Sequence, residues 1–303
     1  MKVGEVMSLD FNNTRDGVEV DRGSKLGFGE TVDYCESEYK LESKILSKTS
    51  SGVLSKGWYT DQHGNTVMVK GNTKHSYEPY AEVITSIVMD ILDIPHIRYY
   101  LGDRSKFREI KVNGGVIKHV SICKKYDIEE GYQVLPLYKF LKLSEGIPDY
   151  VSVSVPMMWE YTKKYINLDE LKTILVLDAY FANRDRHLYN IEVKYKSAEA
   201  VRLVIPFDFG ASLGLTVPLI GNSYGKVLNS SKPFKPTHTE QIALINKYSD
   251  FKLKSKYSKH EFLTECLKMV ESTIEKLPKK RQQPTRDILT GRVDILDNII
   301  EWR

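Results

Sequence analysis

The chain has 303 residues, 44 of them basic and 40 acidic, so its formal net charge of +4 is too small an excess to argue for a nucleic-acid partner. Apolar residues make up 41%, enough for a packed core and outside the disordered range. Cys35, Cys123 and Cys266 are far apart, which fits buried thiols in a reducing compartment better than a metal site or disulfide framework. The amino-terminal Met1-Lys2-Val3-Gly4-Glu5-Val6 has no apolar core of a secretion signal. Apolar runs such as Ile174-Leu175-Val176-Leu177 are too short to span a bilayer. A cytoplasmic protein without membrane contact is therefore expected.

Residues up to about 45 are polar and carry little pattern. Gly23 to Gly29 is glycine-rich, but with no strand before it and no helix after it, it reads as a surface loop. Gly57–Thr60 and Thr66–Lys70 read as two strands, with hairpin-turn chemistry in Asp61–Asn65. Alternation along the second sends Val67 and Val69 to one face and Met68 and Lys70 to the other.

From Glu78 to about Ile94 the periodicity predicts an amphipathic helix. Ile84, Ile87, Val88, Ile91 and Leu92 form one apolar stripe, Pro79 suits the first turn, and Pro95 marks a stop. Glu78 and Glu82 share the less apolar side. His96–Leu101 and Gly115–Cys123 then read as strands. Lys124–Gly131 loses hydrophobic pattern and is the candidate hinge between an amino-terminal lobe, residues 1–127, and a carboxy-terminal lobe, residues 128–303.

Beyond that point the chain turns mainly helical. Leu168–Ala182 is an apolar helix. Ile191–Tyr195 and Val201–Ile205 read as strands joined by a polar hairpin. Residues after Gly210, to about Pro236, are irregular and rich in Gly, Ser, Asn and Pro. A connection of that length inside a compact domain is often functional. Helices are expected over Thr239–Tyr248, His260–Lys276 and Gln283–Trp302.

The chemistry is concentrated in Asn183-Arg184-Asp185-Arg186-His187-Leu188-Tyr189-Asn190, followed by Asp208-Phe209-Gly210. Phosphoryl transfer from ATP requires a carboxylate to orient the acceptor hydroxyl, and an amide oxygen with a second carboxylate to hold magnesium against the phosphates. Asp185 is the candidate base, and Asn190 and Asp208 are the candidate metal ligands. The hairpin between them returns the chain to its start, bringing Asp208 back beside Asn190. Lys70, at a strand end just before an acidic helix, suits the lysine that meets the α- and β-phosphates. The segment Ser47–Gly57 precedes that strand. It is neither a GxGxxG nor a Walker A loop, yet its Ser51, Gly52 and Lys56 could cradle phosphate; a flexible linker is the alternative. His187 by itself reads as an ordinary loop histidine. Arg186 either steadies that loop, meets a phosphorylated residue, or lies on the surface.

Asp185 to Asn190 together with Pro206-Phe207-Asp208-Phe209-Gly210 resembles the HipA-like serine/threonine kinases of bacteria. Glu78–Glu82 running to Asp93-Ile94-Pro95 is similar to that family's acidic helix, and Val69-Lys70-Gly71 to its ATP-lysine strand. The resemblance covers about residues 45 to 250. It implies an α+β, bilobal protein-kinase-like fold: a small mixed sheet-plus-helix lobe and a mainly helical lobe, distantly like the phosphoinositide kinases. It implies ATP and Mg2+ as cofactors and a protein substrate with a Ser or Thr acceptor. Catalytic roles fall to Asp185 and His187, nucleotide contacts to Lys70, Glu82, Ser51, Gly52 and Lys56, and metal binding to Asn190 and Asp208. Glu82 is the preferred ion-pair partner of Lys70, and Glu78 the fallback. The family's loop before the lysine carries a serine that can be autophosphorylated, which points to Ser47–Ser51. The toxin-type members have a further amino-terminal subdomain, and the stretch before Lys70 is short for one. The chain therefore looks like the compact members, and the resemblance implies a regulatory protein partner as a further expectation.

Two rival readings stand beside this one. A small-molecule or inositol-lipid kinase shares the Asp-Arg-His motif, but the residues after Gly210 supply only Lys226, Lys232 and Lys235 for a membrane contact. A nucleotide-binding pseudokinase would be favoured by loss of Lys70, Asp185, Asn190 or Asp208, and all four are present.

Overall fold

A computed structural model of the chain describes residues 40–41, 56–60, 66–73, 76–107, 110, 118–124, 130–146, 155–196, 201–219 and 224–303. Ser51, Gly52, the Ser47–Ser51 segment, Cys35 and most of the expected hinge lie outside these residues. The fold is mixed α+β, with eight α-helices among the described residues.

The first sheet has five strands: β1 (Lys40–Leu41), β2 (Lys56–Thr60), β3 (Thr66–Lys70), β4 (Tyr99–Asp103) and β5 (His119–Lys124). They run in the order β1-β2-β3-β5-β4, each antiparallel to its neighbour. Strands β2 and β3 pair with Lys56 opposite Lys70 and Thr60 opposite Thr66, the register of a hairpin. β4 begins at Tyr99, three residues later than the hydrophobic pattern suggested. Backbone alternation sorts the two faces of β3. Val67 and Val69 pack with Tyr59, Phe107, Val120 and Ile122 in a small core. Met68 lies on the opposite face, against the core built around helix α1 (Glu78–Ile91). Lys56 and Lys70, paired across strands, share that second face.

Helix α1 is buried on almost every side, with Asp90 the one half-exposed residue after its first turn. It packs on β4 and β5 and also on α7 (Lys259–Ile274). That explains why its polar Thr85 and Ser86 are fully buried: their hydroxyls bond to backbone carbonyls within the helix. One apolar core thus runs from α1 through Tyr180, Phe181 and Phe209 to Phe262, Val270 and Leu289.

The second sheet, β6 (Gln133–Pro136), β7 (Glu192–Tyr195) and β8 (Arg202–Leu203), is antiparallel in that order. It packs with α2 (Leu137–Glu145), α3 (Val155–Tyr165) and α4 (Leu168–Phe181) around a second core that includes Trp159, Leu175 and Phe234. α5 (Tyr224–Leu228) is a short helix inside the stretch expected to be irregular, and α6 (His238–Ile245) follows it.

The expected carboxy-terminal helix is two elements. α8 (Lys279–Gly291) ends at its glycine, and Val293–Asn298 forms a separate 3-10 turn. The break coincides with a tertiary bond, Arg292 Nε donating to Ala179 O at 2.8 Å. Beyond it β10 (Ile300–Glu301) pairs in parallel with β9 (Leu253–Lys254). No described helix is long and apolar enough to cross a membrane.

Candidate active site

The site is assembled at the ends of β3 and α4, along α1, and in the two loops after α4 and β8. Lys70 ends β3 on the α1 side of the sheet. Its Nζ lies 2.6 Å from Glu82 Oε1 and 2.8 Å from Asp208 Oδ1, and 5.3 Å from the centre of the Tyr99 ring. The Lys70 and Glu82 side chains are 6% and 2% exposed, too buried to remain charged without one another. Burial alone would lower the Lys70 ammonium, but the charges of Asp208 and Glu82 outweigh it and hold it well above the ordinary lysine value. Asp208 and Glu82 compete for that single ammonium. Burial pushes Glu82 up to about 7 against the pull of Lys70. Burial would raise Asp208 too, but Lys70, Arg186 and Lys56 overcome it and hold Asp208 down at about 2.

Glu78, one helical turn before Glu82, does different work. Its carboxylate accepts from Thr73 N at 2.7 Å, Ser76 Oγ at 2.8 Å and Thr73 Oγ1 at 3.1 Å, tying the β3–α1 connection to the helix start. Of the two acids that share this side of α1, the inner one meets the lysine.

Helix α4 ends in an Ala182 held in the left-handed region at φ 54°, a conformation that costs a non-glycine residue about 1–2 kcal/mol. Asn183 N closes the end by donating to Asp178 O at 2.7 Å. Asp178, in the last turn of α4, organises the loop that follows. Its carboxylate accepts from Asn183 Nδ2 at 2.7 Å, from Arg186 Nε at 2.9 Å and from Arg186 Nη2 at 3.0 Å. Arg186 Nη1 then donates to Asn190 O at 2.7 Å and to Phe207 O at 2.8 Å. One guanidinium therefore joins the helix end, the loop carrying Asp185 and Asn190, and the strand exit before Asp208. Of the readings open for Arg186, the surface one is excluded: the residue is 1% exposed.

Asp208 adopts φ 60°, so the chain turns sharply there. Phe209 is then driven into the core, 5.6 Å from the Phe181 ring and 4.7 Å beneath the Arg186 guanidinium. Phe209 N donates to Glu82 Oε2 at 3.1 Å, so Glu82 ties strand, helix and loop together. A Cβ on Gly210 would lie 3.3 Å from both Glu78 Cβ and Glu82 Oε1; glycine permits this approach of the loop to α1.

Asp185 points outward, its side chain 55% exposed. Asn183 Oδ1 accepts from its backbone N at 3.2 Å, and Asn190 Nδ2 donates to its carbonyl at 3.0 Å. Lys232 Nζ lies 3.2 Å from its Oδ1, and His187 Nε2 lies 3.9 Å from its Oδ2. The His187 ring stands edge-on to Tyr189, and its Nδ1 is buried without a protein partner. Lys56, opposite Lys70 and half-buried, is lowered first by burial and then by the Lys70 charge, with Asp208 and Glu192 opposing.

Lys70, Glu82 and Asp208 are thus in direct contact. Asp185 and Asn190 are bonded to each other, and Arg186 links the two groups. Asp178 and Lys232 were not singled out as site residues from the sequence. An acid in the otherwise apolar last turn of α4 was a legible signal for Asp178. No local signal marks Lys232.

No protein-family model matches the sequence, and no curated protein matches it. Among solved structures, the fold is similar to the crystal structure of the Helicobacter pylori proinflammatory kinase CtkA. The TM-score is 0.54 at 13% identity, over 88% of this chain and 97% of that one. A weaker likeness, TM-score 0.43 at 12% identity, is to the Shewanella oneidensis toxin HipA in its complex with HipB and operator DNA, over 83% of this chain and 65% of that one. The first comparison shows that the two chains share a fold.

Proposed function

We propose that the chain is an ATP- and magnesium-dependent phosphotransferase that phosphorylates serine or threonine hydroxyls of proteins, itself included. The observation that carries this reading is the Lys70 ammonium held between Glu82 and Asp208, with Arg186 tying the Asp208 loop to the one that bears Asp185 and Asn190. Residues up to about 127 then form the nucleotide-binding lobe, and residues 128–303 the catalytic lobe.

In this reading Lys70 orients the α- and β-phosphates, and Glu82 fixes the lysine stem so that its charge is placed before ATP arrives. Asp185 is exposed enough to accept a hydrogen bond from an incoming hydroxyl and takes its proton as the oxygen–phosphorus bond forms. His187, on the other carboxylate oxygen, steadies Asp185. The donor set fits magnesium. Asp208 is held ionised, and Asn190 commits its amide nitrogen to the Asp185 carbonyl, leaving Oδ1 as the atom for a cation. Magnesium keeps several waters and uses few protein ligands beside substrate phosphates; among the described residues no cluster of three or more His, Cys, Asp or Glu offers a metal cage. The chemistry the ion supplies is neutralisation of charge on the β- and γ-phosphates.

The loop with Ser47–Ser51 and Gly52 would cover those phosphates, with Lys56 beside them. A phosphate added there carries about −1.5 to −2 charge at neutral pH. It would compete with ATP for Lys56 and Lys70, while Arg186 is too deeply buried to take part.

Incubation with labelled ATP and magnesium, alone and with cell lysate, tests the reading. Label on the chain or on lysate proteins supports it. Label confined to lipid or small metabolites, or none at all, refutes it. Mass spectrometry of the labelled chain locates the phosphate; sites only at Ser223, Ser230 or Ser231 would refute the assignment to Ser47–Ser51.

A further inference from the structure

We propose that Lys232 is a further catalytic residue, whose ammonium contacts the transferring phosphoryl group from the acceptor side. The proposal rests on the phosphotransferase reading above and adds a residue that reading does not use. Lys232 lies 47 positions after Asp185, yet its Nζ stands 3.2 Å from Asp185 Oδ1.

Its placement is built by the surrounding frame. Ser230 and Thr237 form a bridge across the bend that holds it. Ser231 N donates to Pro236 O at 2.8 Å, and His238 N donates to Asn229 O at 2.9 Å. Gln241, 1% exposed, donates its Nε2 to the Lys232 carbonyl and, at 3.3 Å, to Ser231 Oγ. Phe234 is sunk into the second core against Trp159, ring centres 5.2 Å apart. Arg184 Nε donates to Ser230 Oγ at 3.0 Å, fastening this bend to the loop that carries Asp185. The lysine stem thus starts from a fixed backbone while its head stays exposed.

Stability does not explain the contact. Both side chains are more than half exposed, 54% and 55%, and ion pairs in that setting contribute little. Charge placement does. Transfer spreads negative charge over the equatorial oxygens of the phosphoryl group, and cations fixed there stabilise the transition state. Lys70, held by Glu82 and Asp208, serves the α- and β-phosphates in that reading. Arg186 is committed to Asp178 and two carbonyls, and Arg184 donates to Ser230. Lys232 reaches the base itself, at the edge where the acceptor hydroxyl must enter. The flexible lysine stem lets the ammonium pass from the carboxylate to a phosphoryl oxygen.

In the step, the acceptor oxygen forms its bond to the γ-phosphorus while its proton passes to Asp185. The bond from that phosphorus to the β–γ bridging oxygen breaks, and the electron pair leaves with ADP. Lys232 takes no part in the proton transfer and exchanges the carboxylate, as it accepts the proton, for the phosphoryl oxygens.

Lys232→Met, Lys232→Arg, Asp185→Asn and the unmodified chain would be compared in labelled phosphate transfer, with binding of a non-hydrolysable ATP analogue measured in parallel. For Lys232→Met, kcat should fall about a hundredfold, with analogue affinity and melting temperature close to those of the unmodified chain. Lys232→Arg, which keeps the charge, should recover at least roughly a tenth of the activity. A Lys232→Met kcat within about threefold of the unmodified value would overturn the proposal. So would a loss seen only as a raised acceptor KM, which would make Lys232 an acceptor-docking residue. An unmodified chain that transfers no phosphate overturns both readings; an active one with a silent Lys232→Met overturns this one alone.

Discussion

Arg186 and Asp178 form a two-bonded ion pair in which both side chains are only 1% exposed. Burial would discharge each of them, raising the Asp178 carboxyl and lowering the guanidinium; their mutual attraction opposes it. The pair is the mechanical link of the site, because the same guanidinium holds the carbonyls of Asn190 and Phe207. Arg186→Ala should therefore strip a buried carboxylate of its partner and cost roughly 3–5 kcal/mol of stability. Arg186→Lys should recover little, since one ammonium cannot reproduce the planar fork. Chemical denaturation of the three proteins checks both statements, and a destabilisation of Arg186→Ala below about 1 kcal/mol would contradict the assigned role.

Lys70 and Glu82 should prove energetically coupled. Lys70→Met leaves Glu82 buried beside Asp208, but a carboxyl already at about 7 takes up a proton readily, so the loss should fall near the low end for a broken buried pair, about 3 kcal/mol. Glu82→Gln added to it should cost much less than it does alone, with a coupling of about 1–3 kcal/mol in a double-mutant cycle. Additive losses would show that the pair acts independently. Phosphate transfer should be abolished by Lys70→Met.

The two carboxylates assigned to chemistry should separate in stability while agreeing in activity. Asp185→Asn and Asp208→Asn should each reduce transfer by about a hundredfold or more. Asp185 is half-exposed, so its replacement should leave the melting temperature nearly unchanged. Asp208 is bonded to the buried Lys70, so its replacement should lower it. Full activity of either variant would sink its assignment.

His238 gives the fold a pH dependence of its own. It is 1% exposed with both ring nitrogens lacking a protein partner. Burial, helped by the Arg292 charge, lowers its pKa from 6.5 to about 3. Above the ordinary histidine value the ring is neutral in both folded and unfolded chains, and nothing is lost. As pH falls toward 3, the unfolded chain takes up a proton that the folded one refuses. Stability then drops by up to about 1.4 kcal/mol per pH unit, or about 2 °C per unit for a chain of this size. His238→Leu should flatten that part of the slope between pH 6.5 and 4. Parallel melting curves for the two proteins across this range would refute it.

The local pieces are legible in the order of residues alone. Val67 to Lys70 alternates as a strand must, so Lys70 was bound to leave the face of its valines. The stripe Ile84, Ile87, Val88 and Ile91 required a helix over Glu78 and Glu82. Asp185 and Asn190 fall on one short loop, and the hairpin between Asn190 and Asp208 predicts the return of Asp208 to it. Periodicity is a property of neighbours, so faces and local turns need nothing else. Long-range packing selects which of the two glutamates meets Lys70, buries Arg186 and stops the last helix at Gly291. The same holds for Lys232, brought to Asp185 across 47 residues. Each of these depends on contacts between segments far apart in the chain. An arginine on the surface and an arginine between two loops have the same neighbours in sequence; desolvation and the carbonyls that the fold presents to them make the difference.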